Sequence, residues 1–138
     1  MSGSPIDTFL DALGGLDADA ATAMFAPDAR LLTVDGRRAH GTEAIRALLT
    51  SCLATLRSAN HRVTAQWHLD DAWIAEFEAA YELTDRLRVD ALPRAIVIRT
   101  GPQGATDVRV YGAHEHQLAD HDSGGEGMMV GGWRIPPL

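Results

Sequence analysis

Cysteine is nearly missing from this sequence. Cys52 is the single one, so no internal disulfide can form and packing must hold the fold. It falls on the apolar stripe of a predicted helix and reads as a buried packing residue. Runs of basic residues are missing too, and the formal net charge is -7. Nucleic acid and anionic membranes are therefore poor partners. No apolar run approaches the roughly 20 residues that span a bilayer. The opening Met1-Ser2-Gly3-Ser4-Pro5 has neither a basic nor an apolar signal region, so a cytoplasmic location is the expectation. No glycine-rich phosphate loop joins a strand to a helix, which leaves no place for a nucleotide cofactor. No Gly-x-Ser-x-Gly nucleophile elbow is present. What remains is ordinary globular material: 138 residues, 46% of them hydrophobic, enough for one domain with a core.

The first third reads as helices. Ser4-Pro5 is a cap followed by proline at the first helical position, and Ile6, Phe9, Leu10 and Leu13 follow at helical spacing. Gly14-Gly15 ends that helix. Asp17 caps a short second helix carrying Ala21, Met24 and Phe25, which Pro27 closes. A strand is expected over 29–35 and a polar connection over 36–41. Thr42 then caps a third helix with one apolar stripe: Ile45, Leu48, Leu49, Cys52, Leu53 and Leu56.

From Asn60 the hydrophobic period changes from 3.6 to 2. Val63, Ala65, Trp67 and Leu69 alternate with polar residues. Trp73, Ala75, Phe77, Ala79, Tyr81 and Leu83 make the clearest half-buried strand. Further strands are expected over 89–100 and 107–118, separated by the turn Gly101-Pro102-Gln103-Gly104. The stretch 119–132 is polar and glycine-rich and reads as a flexible loop. The class is α+β: three N-terminal helices packed on a strongly curved antiparallel sheet, with an internal pocket between the layers.

Alternation orients the side chains. Val108, Val110, Gly112 and His114 share one face of the last strand. Leu92, Arg94, Ile96 and Ile98 form the inward set of the strand before it. Trp67, Phe77 and Tyr81 supply aromatic walls. Thr33 and Asp35 come from the first strand.

Several passages resemble the SnoaL-like branch of the nuclear transport factor two-like superfamily. Met24-Phe25-Ala26-Pro27-Asp28-Ala29 is similar to its helix-to-first-strand passage, and His40-Gly41-Thr42-Glu43-Ala44-Ile45 to the start of its third helix. Leu92 to Arg99 followed by Asp107 to Tyr111 resembles its paired final strands, and Gly132-Trp133-Arg134-Ile135 a common terminal motif. The resemblance implies a cone-shaped fold with a hydrophobic pocket and a homodimer built on the sheet. Relatives include polyketide cyclases, ketosteroid isomerases, dehydratases, epoxide hydrolases and noncatalytic binding domains, so the fold names no reaction.

Within that frame His114 is the candidate proton carrier, since imidazole titrates near neutrality. Arg94, a cation among aliphatic residues, is the candidate oxyanion stabiliser or salt-bridge partner. Asp35 is either a base with a raised pKa, in the region where isomerase relatives carry their aspartate, or a turn residue before Gly36. Thr33, Trp67, Phe77, Tyr81, Ile96 and Val110 are candidate ligand contacts. Arg88-Val89-Asp90 resembles the Arg-x-Asp of limonene epoxide hydrolases but reads as an exposed ion pair. His114 and His116 with His121 can be imagined around a metal, but no metal site is expected. Phe9 stands where isomerase relatives carry a tyrosine. The expectation is a cofactor-independent cyclase, isomerase or dehydratase acting on a small apolar, polyketide- or terpenoid-like oxygenated ligand. The alternative is a noncatalytic ligand-binding or dimerisation domain.

Overall fold

Helix α1 (Pro5–Gly14) begins where expected, because Oγ of Ser4 accepts a hydrogen bond from the Ile6 N–H at 3.0 Å and Pro5 follows with its φ already set. It buries Ile6, Phe9, Leu10 and Leu13. Helix α2 (Ala18–Ala23) is capped by Asp17, whose Oδ1 accepts from the Ala20 N–H at 2.9 Å. The structure, a computed structural model, describes residues 4–112 and Leu138.

Two helices precede the first strand and the third follows it, in the expected order. Strand β1 (Phe25–Leu32) starts just after Met24 and takes Phe25 and Pro27 from the expected second helix. Pairing decides this: Phe25 pairs with Ala105, and the Ala105 N–H donates to the Met24 carbonyl at 2.9 Å. Pro27 is tolerated because the register slips between Phe25 and Arg30. The expected polar connection contains a short strand, β2 (Arg38–His40), antiparallel to β1. Helix α3 (Thr42–Leu53) follows, with Gly41 as its cap and Thr42 already helical. Leu56, expected on its stripe, instead opens strand β3 (Leu56–Leu69) and is still buried.

Strands β4 (Ala72–Leu83), β5 (Arg88–Gly101) and β6 (Gly104–Gly112) complete a curved, open six-stranded sheet of order β2-β1-β6-β5-β4-β3. The antiparallel expectation holds at every pairing except β1 with β6, which is parallel. Tight turns force antiparallel neighbours, but β1 and β6 are separated by most of the chain and carry no such constraint. Register slips at Leu56/Ser58, Val63/Ala65, Ala79/Tyr81 and Arg99/Thr100 bend the long strands. Gly104 has φ +122, and a Cβ there would lie 2.6 Å from the Met24 carbonyl oxygen, so glycine is required where β5 turns into β6.

One apolar cluster joins the layers. Ile6, Phe9 and Leu13 of α1 and Ile45 and Leu49 of α3 meet Phe77, Ile96, Ile98, Val108 and Val110 of the sheet. Among the described residues no helix is long and apolar enough to cross a membrane. The proposed loop 119–132, the end of the last expected strand and the terminal Gly132–Ile135 motif lie outside the described residues.

Candidate functional site

Strand pairing sets which side chains share the inner face. Across β4, β5 and β6 the register aligns Phe77 with Arg94 and Gly112, Ala75 with Ile96 and Val110, and Trp73 with Ile98 and Val108. Leu92, Arg94, Ile96 and Ile98 are all buried, as alternation predicts. Arg94 is only 4% exposed, and it is the one buried charged residue among those described. Its Nη1 donates to the Pro93 carbonyl at 3.2 Å, one of its partners. Gly112 makes room for it: a Cβ there would lie 2.5 Å from Nη1 and 2.7 Å from Cδ of Arg94. Beside this pair a shallow hollow of about 440 Å³ opens between Glu76, Glu78, Pro93 and Tyr111.

Tyr81 is buried on the same face. Its hydroxyl donates to the Leu138 carbonyl and lies 3.4 Å from Nε2 of His61. Burial drives the Tyr81 hydroxyl well above the usual phenol range, against the pull of Arg94, so it stays protonated. His61, on β3, was not singled out from the sequence. Its ring meets Phe77 and Tyr81 edge-on, with centroids 5.7 and 5.8 Å away. Its Nδ1 is buried with no hydrogen-bond partner among the described residues. Burial pulls its pKa down to about 4, although Asp11 opposes this. At neutral pH it is an uncharged imidazole.

Thr33 and Asp35 follow β1 in a turn. Thr33 is buried and its hydroxyl donates to Oδ1 of Asp35 at 2.5 Å. Asp35 is exposed and pairs with Nε of Arg37 at 2.9 Å. Burial alone would raise its pKa. The Thr33 hydroxyl, the Arg37 backbone N–H and the Arg37 guanidinium outweigh it and hold the carboxyl below the ordinary value. Of the two readings of Asp35, a raised-pKa base or a turn residue, these contacts fit the turn. Arg37, also missed, donates from Nη2 to Sγ of buried Cys52 at 3.3 Å. Burial pushes the Cys52 thiol up to about 11, so it is inert as a nucleophile at neutral pH.

Trp67 needs correction. Val63 pairs with Phe77 but Ala65 pairs with Glu76, so the slip between them turns the end of β3 over. Trp67 then aligns with Ile74 on the outer face and is 48% exposed, so it is no wall of the interior. Arg88 and Asp90 are exposed, as expected, but no ion pair joins them. His114, His116 and His121 lie outside the described residues. No group of three His, Cys, Asp or Glu side chains placed to hold a metal occurs among the described residues.

The element order, the sheet and the inward-facing polar groups can be set beside known proteins. The SnoaL-like domain profile matches residues 6–122. The chain belongs to the SnoaL-like family. A ketosteroid isomerase-like fold protein from Catenulispora acidiphila, crystallised with trimethylamine, superposes with TM-score 0.72 at 18% identity, covering 80% of this chain and 86% of that one. A SnoaL-like polyketide cyclase, so described, from Shewanella denitrificans gives TM-score 0.72 at 12% identity, over 86% and 95% of the two chains. An epoxide hydrolase of limonene-hydrolase type from M. tuberculosis gives 0.67 at 21%, over 79% and 80%. At these identities the structures share the fold alone. No curated protein sequence matches the chain.

This SnoaL-like domain has no buried carboxylate among its described residues. Its inner polar groups are a cation, a phenol and a neutral imidazole. The imidazole has a measurable consequence. Unfolded His61 takes up its proton near 6.5 and the folded residue only near 4. The unfolded state binds more protons in that window, so stability present above pH 6.5 is lost as pH falls toward 4, by up to about 3 kcal/mol. Urea unfolding between pH 7 and pH 5 should show this decline, and H61F should flatten it.

The fit of Arg94 against Gly112 yields a second expectation. G112A must displace the arginine along its length, costing about 1–3 kcal/mol. In an R94M background the unbranched replacement yields more easily, so G112A should cost less there. Denaturant unfolding of the four proteins measures the coupling.

Proposed function

We propose that this chain is a cytoplasmic, cofactor-independent enzyme that isomerises, cyclises or dehydrates a small, largely apolar oxygenated molecule. The buried Arg94 guanidinium carries this reading. A cation held among Leu92, Phe77 and Ile96 is costly for stability, and it suits a site where negative charge develops on a substrate oxygen. A base removes the proton beside a carbonyl, the electron pair moves onto the carbonyl oxygen, and Arg94 meets the oxyanion. His61 can accept that proton, being neutral, inward-facing and carrying a buried Nδ1, although burial makes it a weaker base than a free imidazole. From the sequence alternation alone, His114 is proposed as a second proton carrier that returns the proton. Phe77, Tyr81, Ile96 and Val110 would shape the apolar part of the site, and Thr33 with Asp35 would order its β1 end through Arg37 and Cys52. The ligand class is polyketide- or terpenoid-like, in keeping with the described relatives.

A thermal-shift screen of such ligands, followed by turnover assays, tests this reading. R94M and H61Q should each lower turnover about 100-fold or more while the protein remains folded. Full turnover in both variants removes the role assignments. A ligand that binds at Arg94 and is never converted favours the noncatalytic binding reading instead.

The outer face supports a homodimer through the sheet. Trp67, Leu69 and Tyr111 are exposed there; half-buried Ile74 and Val97 continue the Trp67 row as far as Arg109, and Tyr111 lies one row over, beside Ala95. Clustered exposed apolar groups mark association surfaces. Sedimentation should show a dimer at micromolar concentration, and W67E should shift it to monomer. A monomeric wild-type chain under those conditions rejects this reading.

A further inference from the structure

The outer face also holds a second site, away from the interior, at the β2 edge of the sheet. The chain contains no lysine, so its 12 basic side chains other than histidine are all arginines. Three of them, Arg30, Arg38 and Arg109, line one hollow of about 290 Å³ together with His40, Asp107 and the apolar floor of Leu32 and Ala39. The register puts them in two rows. Arg38, Leu32 and Arg109 lie side by side across β2, β1 and β6, and His40, Arg30 and Asp107 form the row beside it. Arg38 and Arg109 thus flank Leu32 at about 10 Å between backbones, twice the strand spacing. Their long side chains can converge above it.

The charges in this hollow are not balanced. Asp107 pairs with Arg109 at 3.1 Å, whereas Arg30 and Arg38 form no ion pair among the described residues. Three guanidiniums face one carboxylate, a local charge of about +2 before His40 is counted. This occurs in a protein of net charge -7 that has 19 acidic residues to place. Gathering like charges on neighbouring strands gains nothing for stability, and packing requires none of them, since Arg30, Arg38 and Arg109 all lie exposed. Arg109 is fixed by Asp107, and among the described residues Arg30 and Arg38 have no ion-pair partner.

We propose that this hollow binds a phosphate monoester, its dianionic phosphoryl group held by Arg30 and Arg38 against Arg109 and its organic part resting on Leu32. Guanidinium forks match phosphoryl oxygens in pairs, and a dianion neutralises the surplus. The volume of about 290 Å³ admits a phosphoryl group with a small ring. This site does not depend on the catalytic reading of the interior.

Calorimetric titration of the 138-residue chain with phenyl phosphate, and separately with inorganic phosphate, tests the proposal at low salt. One saturable site is expected for phenyl phosphate, with weaker binding of inorganic phosphate, which lacks the group for Leu32. R30Q and R38Q should each weaken binding tenfold or more, while R62Q, whose arginine pairs with Glu78 on β3, should leave it unchanged. These are exposed positions, and an unchanged thermal melt will show that each variant is folded. Absence of saturable binding overturns the proposal. So does equal weakening by R62Q, which would mean diffuse charge attraction, or unaltered binding in R30Q and R38Q. Tighter binding of inorganic phosphate than of phenyl phosphate rejects the ester and its Leu32 contact.

Discussion

The structure depends on a guanidinium accommodated inside an apolar sheet face. Desolvating Arg94 costs several kcal/mol, and the fold meets that cost with geometry. Gly112 stands opposite it on β6, and the absent Cβ leaves the space that Nη1 and Cδ occupy. Phe77 packs on the other side through the β4–β5 register. Pairing of three strands therefore fixes the position of one charge. The same pairing brings Tyr81 and His61 into the interior, because every second residue of β4 and the first half of β3 faces the same way.

Polar groups connect that charge to the other end of the fold. Thr33 holds Asp35, Asp35 holds Arg37, and Arg37 reaches Cys52 on α3. Cys52 and Arg94 both influence the Tyr81 hydroxyl. The groups differ in how they resist ionisation. Cys52 and Tyr81 are kept neutral by burial, and His61 likewise, while Asp35 stays ionised because three donors outweigh its partial burial. The interior thus offers one fixed positive charge and several neutral donors or acceptors. Such an environment favours a ligand that gains negative charge and disfavours one that already carries positive charge.

Much of this was legible in the sequence where one local rule decides the outcome. Ser4-Pro5 and Asp17 cap helices because their side chains meet orphan N–H groups within two or three residues. The inward set Leu92, Arg94, Ile96 and Ile98 follows from strict alternation on an unbroken stretch of β5. Trp67 was misread because alternation was carried through Val63 to Ala65, where the register slips and inner becomes outer. A bulge leaves no composition signal there, since both flanking residues are small or aliphatic. β2 was missed because three residues carry too little periodicity to register. Phe25 was assigned to a helix because its pairing with Ala105, some eighty residues away in sequence, is invisible locally. His61 had a usable signal: it shares the parity of Val63, the last inward residue before the slip.

That slip at Val63/Ala65 also explains why one sheet serves two different surfaces. Before it, β3 contributes Ala59, His61 and Val63 to the interior. After it, the same parity places Ala65, Trp67 and Leu69 outside, on the face that also carries Ile74, Val97 and Tyr111. Without the extra residue Trp67 would share the inward parity of Val63, and the outer face would lose its largest exposed side chain. At the opposite edge no slip separates Arg30 from Arg109, so β1 and β6 keep Leu31 and Val108 inward and the arginines outward. The curved sheet, with its slip at Val63/Ala65, thereby separates three chemistries: a buried cation inside, apolar groups outside toward β3, and a basic hollow outside toward β2.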